Sequence, residues 1–328
     1  MSGSTVVTPV RLNLALQGGG AHGAFTWGVL DRLLEEAWFE PEAISATSSG
    51  AMNALALAQG WSEDGRAGAR HALTQLWHTV AAQSSPLTWA FPAMAGSGAL
   101  LGFAKHFGPQ QINPLGINPL RGIAEALFDF DRLRRGPLRL YLATTRVRDG
   151  ALVLFDNALL DVDALLASAC LPQFFPPVEI DGELYWDGGF AGNPVLEPLI
   201  YDGRSAELLC ILVQPLTCPE PPRSATAIAE RMAELAFSTT FLRELDGLRR
   251  IQRSLSGSFP LSAIGRRIKS LRFHLIEPGA FLAEHGLRTR LDTRLAFLEE
   301  LCGLGRQAAD DWLGRHRQML GRGATWTG

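Results

Sequence analysis

The chain has 328 residues, of which 47% are hydrophobic, and its formal net charge is −3. This length and apolar content suit one large α/β domain, and the near-neutral charge argues against nucleic acid as a partner. The four cysteines lack the CxxC spacing of a metal site, which favours free thiols in a reducing compartment. The first eleven residues lack the basic and apolar regions of a signal peptide, so we expect a cytoplasmic protein.

A strand, a glycine loop and a helix are predicted first. Residues 12–16 form a short apolar run that ends at Gly18, Gly19 and Gly20, and apolar residues at helical spacing follow over 24–36. Glycines before a helix expose backbone N–H groups. Such groups bind either a phosphate or the oxyanion that forms when a carbonyl is attacked.

The next two elements favour the oxyanion. Residues 43–48 are a second strand-like run, followed by Gly50 and an alanine-rich helical pattern, and this order predicts a parallel sheet. Residues 18–23 match GxGxxG, but a dinucleotide site needs an acid at the tip of the second strand. Ser48 stands there instead. A serine between small residues at a strand-to-helix turn predicts a nucleophile elbow.

An almost uncharged segment covers residues 79–120, where Lys105 is the one formal charge. The window 85–104 is long enough to span a bilayer, but its prolines and glycines disfavour a spanning helix. Two alternatives stay open for this segment. It is either buried core, or a lid or acyl-channel wall that meets a lipid surface.

Two hairpins are predicted in the middle of the chain. Residues 138–147 and 151–155 are strands joined by an Arg-Asp-Gly turn, and a second hairpin turns at residues 181–182. Asp187 closes this second hairpin and precedes two glycines. It is either the base that serves Ser48 or a residue that only starts the turn through its own side chain.

The last third of the chain predicts a strand at 207–215, a helix at 224–252, a strand at 271–276 and a helix at 292–320. We find no internal repeat or linker, so we expect a single domain over 1–328. By the usual chain order His274 and His285 are candidate bases, but the alternation around His274 favours a half-buried strand histidine.

A basic set in this region is either a solvated face or a surface that docks anionic headgroups. Its members are Arg249, Arg250, Arg253, Arg266, Arg267, Lys269 and Arg272.

Three blocks carry a family resemblance: GGGAHGAF, ATSSGAMNA and ASACLPQFFPPVEIDGELYWDGGFAGNP. Over about residues 12–200 the chain resembles the bacterial patatin-like phospholipases. The resemblance implies an α/β three-layer sandwich with a mainly parallel central sheet flanked by helices. It implies a Ser48–Asp187 dyad without histidine, Gly18, Gly19 and Gly20 as the oxyanion loop, and no metal or organic cofactor. Residues 215–328 carry no matching motif.

The expected function is therefore a serine acyl hydrolase of lipid esters, of phospholipase A or lysophospholipase type, in the cytoplasm or peripheral at the membrane. The alternatives are a hydrolase of short soluble esters or intracellular polyester, and a catalytically weak lipid-binding protein. Two departures from the family pattern favour weak turnover: Ala46 replaces the first glycine of the elbow, and His22 stands where many relatives have arginine.

Overall fold

The computed structural model describes residues 8–90, 118–218, 221–279, 281–282 and 286–326. Within them lies one mixed sheet of eight strands. The strands are β1 (Val10–Leu16), β2 (Phe39–Ala46), β3 (Arg139–Arg146), β4 (Leu152–Asp156), β5 (Val178–Ile180), β6 (Glu183–Asp187), β7 (Glu207–Ile211) and β8 (Arg272–Ile276).

The helices in the described part of the chain are α1 (Gly23–Leu33), α2 (Ser49–Ala90), α3 (Pro119–Leu127), α4 (Phe130–Arg135), α5 (Val162–Ser168), α6 (Glu197–Tyr201), α7 (Ala225–Ser254), α8 (Ala263–Ser270) and α9 (Leu295–His316). Short 3₁₀ turns include Gly20–His22, Gly188–Phe190 and Gly286–Leu291. Helix α2 is kinked at Asp64 and Gly65, whose backbone angles are not helical.

The sheet runs in the order β5-β6-β3-β2-β1-β7-β8, with β4 paired to β3 off this path. Strands β3, β2, β1, β7 and β8 are mutually parallel, whereas β4, β5 and β6 join by antiparallel pairing. Parallel strands of one sheet bring their carboxyl ends to one edge. The glycine loop after β1 and the elbow after β2 therefore leave the same edge.

Alternate residues of β1 face two different cores, which makes the fold three-layered. Leu12, Leu14 and Leu16 belong to a large cluster with residues of α1, α2, α5 and α9. Ala15 belongs to a second cluster with residues of α6, α7 and α8. The α/β three-layer sandwich with a mainly parallel sheet is thus confirmed.

Two glycines let α9 pack closely on α1. A Cβ at Gly28 would overlap the carbonyl oxygen of Cys302, and one at Gly305 would overlap that of Phe25. The backbones of the two helices are in contact at these points, so larger side chains have no room. The C-terminal helix is in this way part of the main core.

The uncharged segment is described only at its ends. Helix α2 continues to Ala90 and α3 begins at Pro119. Residues 91–117, which carry most of the predicted lid or acyl-channel wall, lie outside the described residues. No helix among the described residues is long and apolar enough to cross a membrane.

The predicted basic set lies at the edge of the sheet away from the glycine loop. Helix α8 ends just before Arg272, which starts β8 opposite Glu207, the first residue of β7. Because β7 and β8 run parallel to β1, the first residues of β7 and β8 lie at the amino-terminal ends of the strands, whereas Gly18 and Ser48 follow the carboxyl-terminal ends. A headgroup docked on the basic set would therefore face away from the predicted nucleophile.

Candidate active site

Gly18 and Ser48 emerge side by side from neighbouring strands. Leu16 at the end of β1 pairs with Ala46 at the end of β2. A Cβ at Gly18 would lie 2.5 Å from the carbonyl oxygen of Thr47 and 2.7 Å from the Cβ of Ser48. Only glycine leaves room for the two loops to touch in this way.

Ser48 occupies a sharp turn between β2 and α2. Its φ of +54° is in the left-handed region, which is rare for a residue other than glycine. Its N–H donates to the Oγ of Ser168 over 3.0 Å. At Gly50, a Cβ would lie 2.5 Å from the carbonyl oxygen of Leu16. The backbone is therefore held in the strained turn that the elbow pattern predicts, and Ala46 is accommodated in the core beneath it.

Asp187 ends β6 and is almost completely enclosed, with 1% of its surface exposed. Its Oδ1 accepts a hydrogen bond of 2.7 Å from the N–H of Gly189. Its Oδ2 is buried and has no hydrogen-bond partner among the described residues. A buried carboxylate oxygen without a donor is costly, so this atom is a natural proton acceptor.

Burial raises the pKa of Asp187 from 3.8 to about 6, because the charged carboxylate loses its hydration. The N–H of Gly189, the side chain of Ser48 and the charge of Arg290 act in the opposite direction and favour the carboxylate. The result is a group that is ionised at neutral pH yet basic enough to take a proton.

Two hydrogen bonds and the strand order tie the Asp187 strand to the elbow. Thr145 on β3 donates from its Oγ1 to the carbonyl oxygen of Asp187 over 2.8 Å. Thr47 donates to the carbonyl oxygen of Gly192 over 2.9 Å. Strand β3 lies between β2 and β6 in the sheet. The two predicted dyad residues are thus held by one framework.

The N–H groups of the glycine loop are not equivalent. Gly18 donates to the Oδ1 of Asn193 over 2.7 Å, and Gly19 donates to the Oγ of Ser49 over 3.0 Å. No hydrogen bond within the described part of the chain uses the N–H of Gly20 or of Ser49. The N–H groups of Gly20 and Ser49 are therefore available as hydrogen-bond donors.

The segment 286–294 contributes to the site, although no sequence pattern predicted it. Nε2 of His22, on the glycine loop, lies 2.7 Å from the Oγ1 of Thr289. A Cβ at Gly20, whose φ is +61°, would overlap the carbonyl oxygen of Arg290. Arg290 is half-buried, and its Nε is enclosed without a partner among the described residues. No motif marks this segment, since its contacts cross more than 250 residues of chain.

Of the two histidines considered as bases, His274 is held away from Ser48 by other partners. His274 is fully buried on β8, where Nε2 pairs with Glu207 over 2.6 Å and Nδ1 lies 2.9 Å from Thr325. It anchors the sheet and the chain end, as a structural strand histidine would. His285 lies outside the described residues. Among the described residues, no cluster of His, Cys, Asp or Glu could hold a metal ion.

Two comparisons with known proteins found a match to this chain. The sequence model of a family described as Patatin-like phospholipase matches residues 14–200. Among solved structures, VipD from Legionella pneumophila is similar at 14% sequence identity, with 90% of this chain and 67% of VipD covered and a TM-score of 0.35. No curated protein matches the chain.

Proposed function

This chain belongs to the patatin-like phospholipase family, and on that premise we propose that it cleaves lipid esters through a Ser48–Asp187 dyad, as a phospholipase A or lysophospholipase. Family membership supports lipid acyl hydrolysis in general. The observation that carries the finer proposal is the buried Oδ2 of Asp187, which has no donor among the described residues, beside a serine held in a strained elbow.

The first half of the reaction forms an acyl-enzyme. The Oγ of Ser48 attacks the ester carbonyl while its proton passes to the carboxylate of Asp187. The tetrahedral intermediate collapses, the C–O bond to the alcohol breaks, and Asp187 returns the proton to the leaving alkoxide. Water then attacks the acyl-enzyme with Asp187 again as base, which releases the fatty acid and restores Ser48.

The negative oxygen of each tetrahedral intermediate needs donors. We assign this task to the glycine loop predicted from the sequence, with the N–H of Gly20 and that of Ser49 as the immediate donors, because Gly18 and Gly19 already serve Asn193 and Ser49. Loss of one such donor typically costs about 3 kcal/mol of transition-state stabilisation.

An aromatic row beside Asp187 supports an apolar acyl group as substrate. The rings of Phe190 and Phe237 lie 4.8 Å apart, and Trp186 lies 6.5 Å from Phe190. A Cβ at Gly189 would overlap the ring of Phe237. The row joins the turn after Asp187 to α7, which exposes Ile228 and Met232. We propose this end of α7 as the side from which a lipid enters, at a peripheral membrane contact.

The test is intact mass spectrometry after exposure to a fluorophosphonate probe. We expect one adduct on the wild-type protein, mapped to Ser48 and absent from Ser48→Ala. Asp187→Asn should label at least 100-fold more slowly, since a general base contributes about 10²–10⁴-fold. Ser62→Ala, which changes a hydroxyl on α2 bonded to Gln59, is the matched control and should label normally. A folded wild-type protein that never labels, even with lipid vesicles, would support the lipid-binding alternative.

A substrate panel separates the remaining alternatives. Fatty acid release from phosphatidylcholine vesicles and from lysophosphatidylcholine is compared with hydrolysis of p-nitrophenyl butyrate and of a polyhydroxybutyrate suspension. The proposal expects the highest kcat/KM on a lipid ester. A preference for the short soluble ester or the polyester would replace the phospholipase assignment and leave the dyad in place.

A further inference from the structure

The part of the chain beyond the family match reaches the glycine loop. Thr289 contacts His22 through a hydrogen-bonding distance of 2.7 Å, and the backbone of Arg290 packs on Gly20. These contacts fix the main chain of the segment on the same loop that is proposed to bind the oxyanion. The charge on the side chain of Arg290 acts on Asp187.

Arg290 differs from Arg70 and Arg306 in how its charge is compensated. Arg70 and Arg306 both form hydrogen-bonded ion pairs with Asp31. For Arg290, the Nε has no partner within the described residues, and its charge is balanced at longer range by Glu234 on α7 and by Asp187. Burial lowers the pKa of Arg290 to about 10, so the guanidinium remains charged at neutral pH.

We infer that Arg290 is a positioning residue of the active site, which keeps Asp187 in its charged form and is carried there by the contact of its segment with the glycine loop. The inference rests on the proposed role of Asp187 as base. A base must be ionised before it can take a proton, and this carboxylate is almost completely buried. A fixed cation nearby offsets part of the free-energy cost of burying the charged carboxylate.

The alternative use of Arg290, as a site for an anionic group of the substrate, is less favourable. Asp187 and Glu234 already face the guanidinium, so an added anion there would be repelled by the carboxylate of Asp187. An anion bound at Arg290 would also raise the proton affinity of Asp187. The arrangement therefore favours an interaction of Arg290 with Asp187 over an interaction of Arg290 with the substrate.

His22 takes part in the same arrangement. His22 is buried on the glycine loop, and its Nε2 lies 2.7 Å from the Oγ1 of Thr289. The neighbouring residue of the same segment, Arg290, brings a cation to the site from outside the family-matched region.

The ionisation of Asp187 depends on several groups, which the test must take into account. Asp187 faces the charge of Arg290, the side chain of Ser48 and the thiol of Cys170. Glu234 faces Arg290 from α7 and also pairs with Arg231 over 3.0 Å. His22 lies on the glycine loop against the same segment as Arg290. Removal of Arg290 raises the pKa of Asp187, whereas removal of Glu234 leaves more of the arginine charge for Asp187 and lowers it.

The experiment compares Arg290→Gln, Arg290→Lys and Glu234→Gln with wild type. Arg294→Gln is the matched control, since Arg294 lies on the same segment, is 75% exposed and pairs with Asp292. The first readout is the titration of the Asp187 carboxyl carbon by ¹³C NMR, assigned by its loss in Asp187→Asn. The second readout is the pH dependence of fluorophosphonate labelling.

In Arg290→Gln we expect the Asp187 midpoint to rise by about 1 pKa unit, the lower end of the effect of a nearby opposite charge. Labelling at pH 6 then falls about fivefold, because the ionised fraction falls from about one half to about one eleventh. The two proteins converge near pH 9. In Arg290→Lys and Arg294→Gln the midpoint of the Asp187 titration should match that of wild type, and in Glu234→Gln it should be lower.

An unchanged Asp187 midpoint in folded Arg290→Gln overturns the inference. If that variant does not fold, a Glu234→Gln midpoint that fails to move downward overturns it instead. Failure of the proposed function has a different signature, because a wild-type protein without labelling at any pH still gives an NMR titration of Asp187.

Discussion

Replacing Asp187 by asparagine should stabilise the protein at neutral pH while abolishing its proposed chemistry. The pKa of this carboxyl is 3.8 ordinarily and about 6 in the folded protein. A carboxyl whose pKa is raised by folding contributes stability below pH 3.8, and that contribution is lost as the pH rises through 6. The gap corresponds to about 3 kcal/mol, since one pKa unit is worth about 1.4 kcal/mol.

The asparagine side chain in Asp187→Asn would keep an oxygen for the N–H of Gly189. It would also place an uncharged amide where the Oδ2 of Asp187 now lacks a partner among the described residues. We therefore expect the free energy of unfolding of the variant to exceed that of wild type by up to about 3 kcal/mol at pH 8. Linkage reduces the difference to about 1 kcal/mol at pH 4.5.

The assay is urea unfolding of both proteins at several pH values between 4.5 and 8, followed by circular dichroism. Asp149→Asn is the control, because the pKa of Asp149 is lowered to about 2 by Arg146 and its substitution should not stabilise at pH 8. An Asp187→Asn protein that is less stable than wild type at pH 8, or whose advantage does not shrink on acidification, would refute the reasoning.

Three further predictions follow from the site and the helix packing. Because Asp187 must be ionised, the fluorophosphonate labelling rate at pH 5 should fall to about one eleventh of its plateau value. With an aspartate of ordinary pKa, the rate at pH 5 would stay above about 90% of the plateau, and a rate profile from pH 4.5 to 9 distinguishes the two cases. Gly20→Ala should slow labelling at least about tenfold, because the added methyl group displaces Arg290. The control Gly150→Ala is also at positive φ but has open space around it, so it should cost about 1 kcal/mol of stability and leave the labelling rate unchanged. Equal labelling rates in the two variants would contradict the prediction for Gly20. Gly28→Ala should lower the free energy of unfolding by about 1–3 kcal/mol, because the added methyl group overlaps Cys302. Gly303→Ala on α9, where nothing lies near the added methyl group, should raise the free energy of unfolding by about 0.5–1 kcal/mol. Urea unfolding measures both changes.

Local patterns predicted the features that depend on neighbouring residues. The turn at Asp181 and Gly182 adopts positive φ at both residues, as a tight hairpin requires, and the two predicted hairpins are present. Ser48 and Asp187 could be proposed because each lies beside glycines that mark a sharp turn. Their burial and environment were beyond a local pattern.

The remaining features depend on contacts that the sequence does not signal. His274 was expected to be half-buried, but it is fully enclosed because Glu207, on the adjacent strand, supplies a charged partner. Ser49 holds the N–H of Gly19, a role that became visible only when the elbow and the loop were side by side. Arg290 has no motif and reaches the site only because its segment packs on Gly20.

The position of β7 has a consequence for dividing the protein. The family match ends at residue 200, yet β7 pairs with β1 along Leu12–Leu16, in the interior of the sheet. A chain shortened at residue 200 would leave that side of β1 as an open edge, with no proline or charged side chain between Leu12 and Leu16 to discourage pairing with another molecule. We therefore propose one folding unit over 1–328 and expect the shortened chain to self-associate through β1, even though it would contain both Ser48 and Asp187.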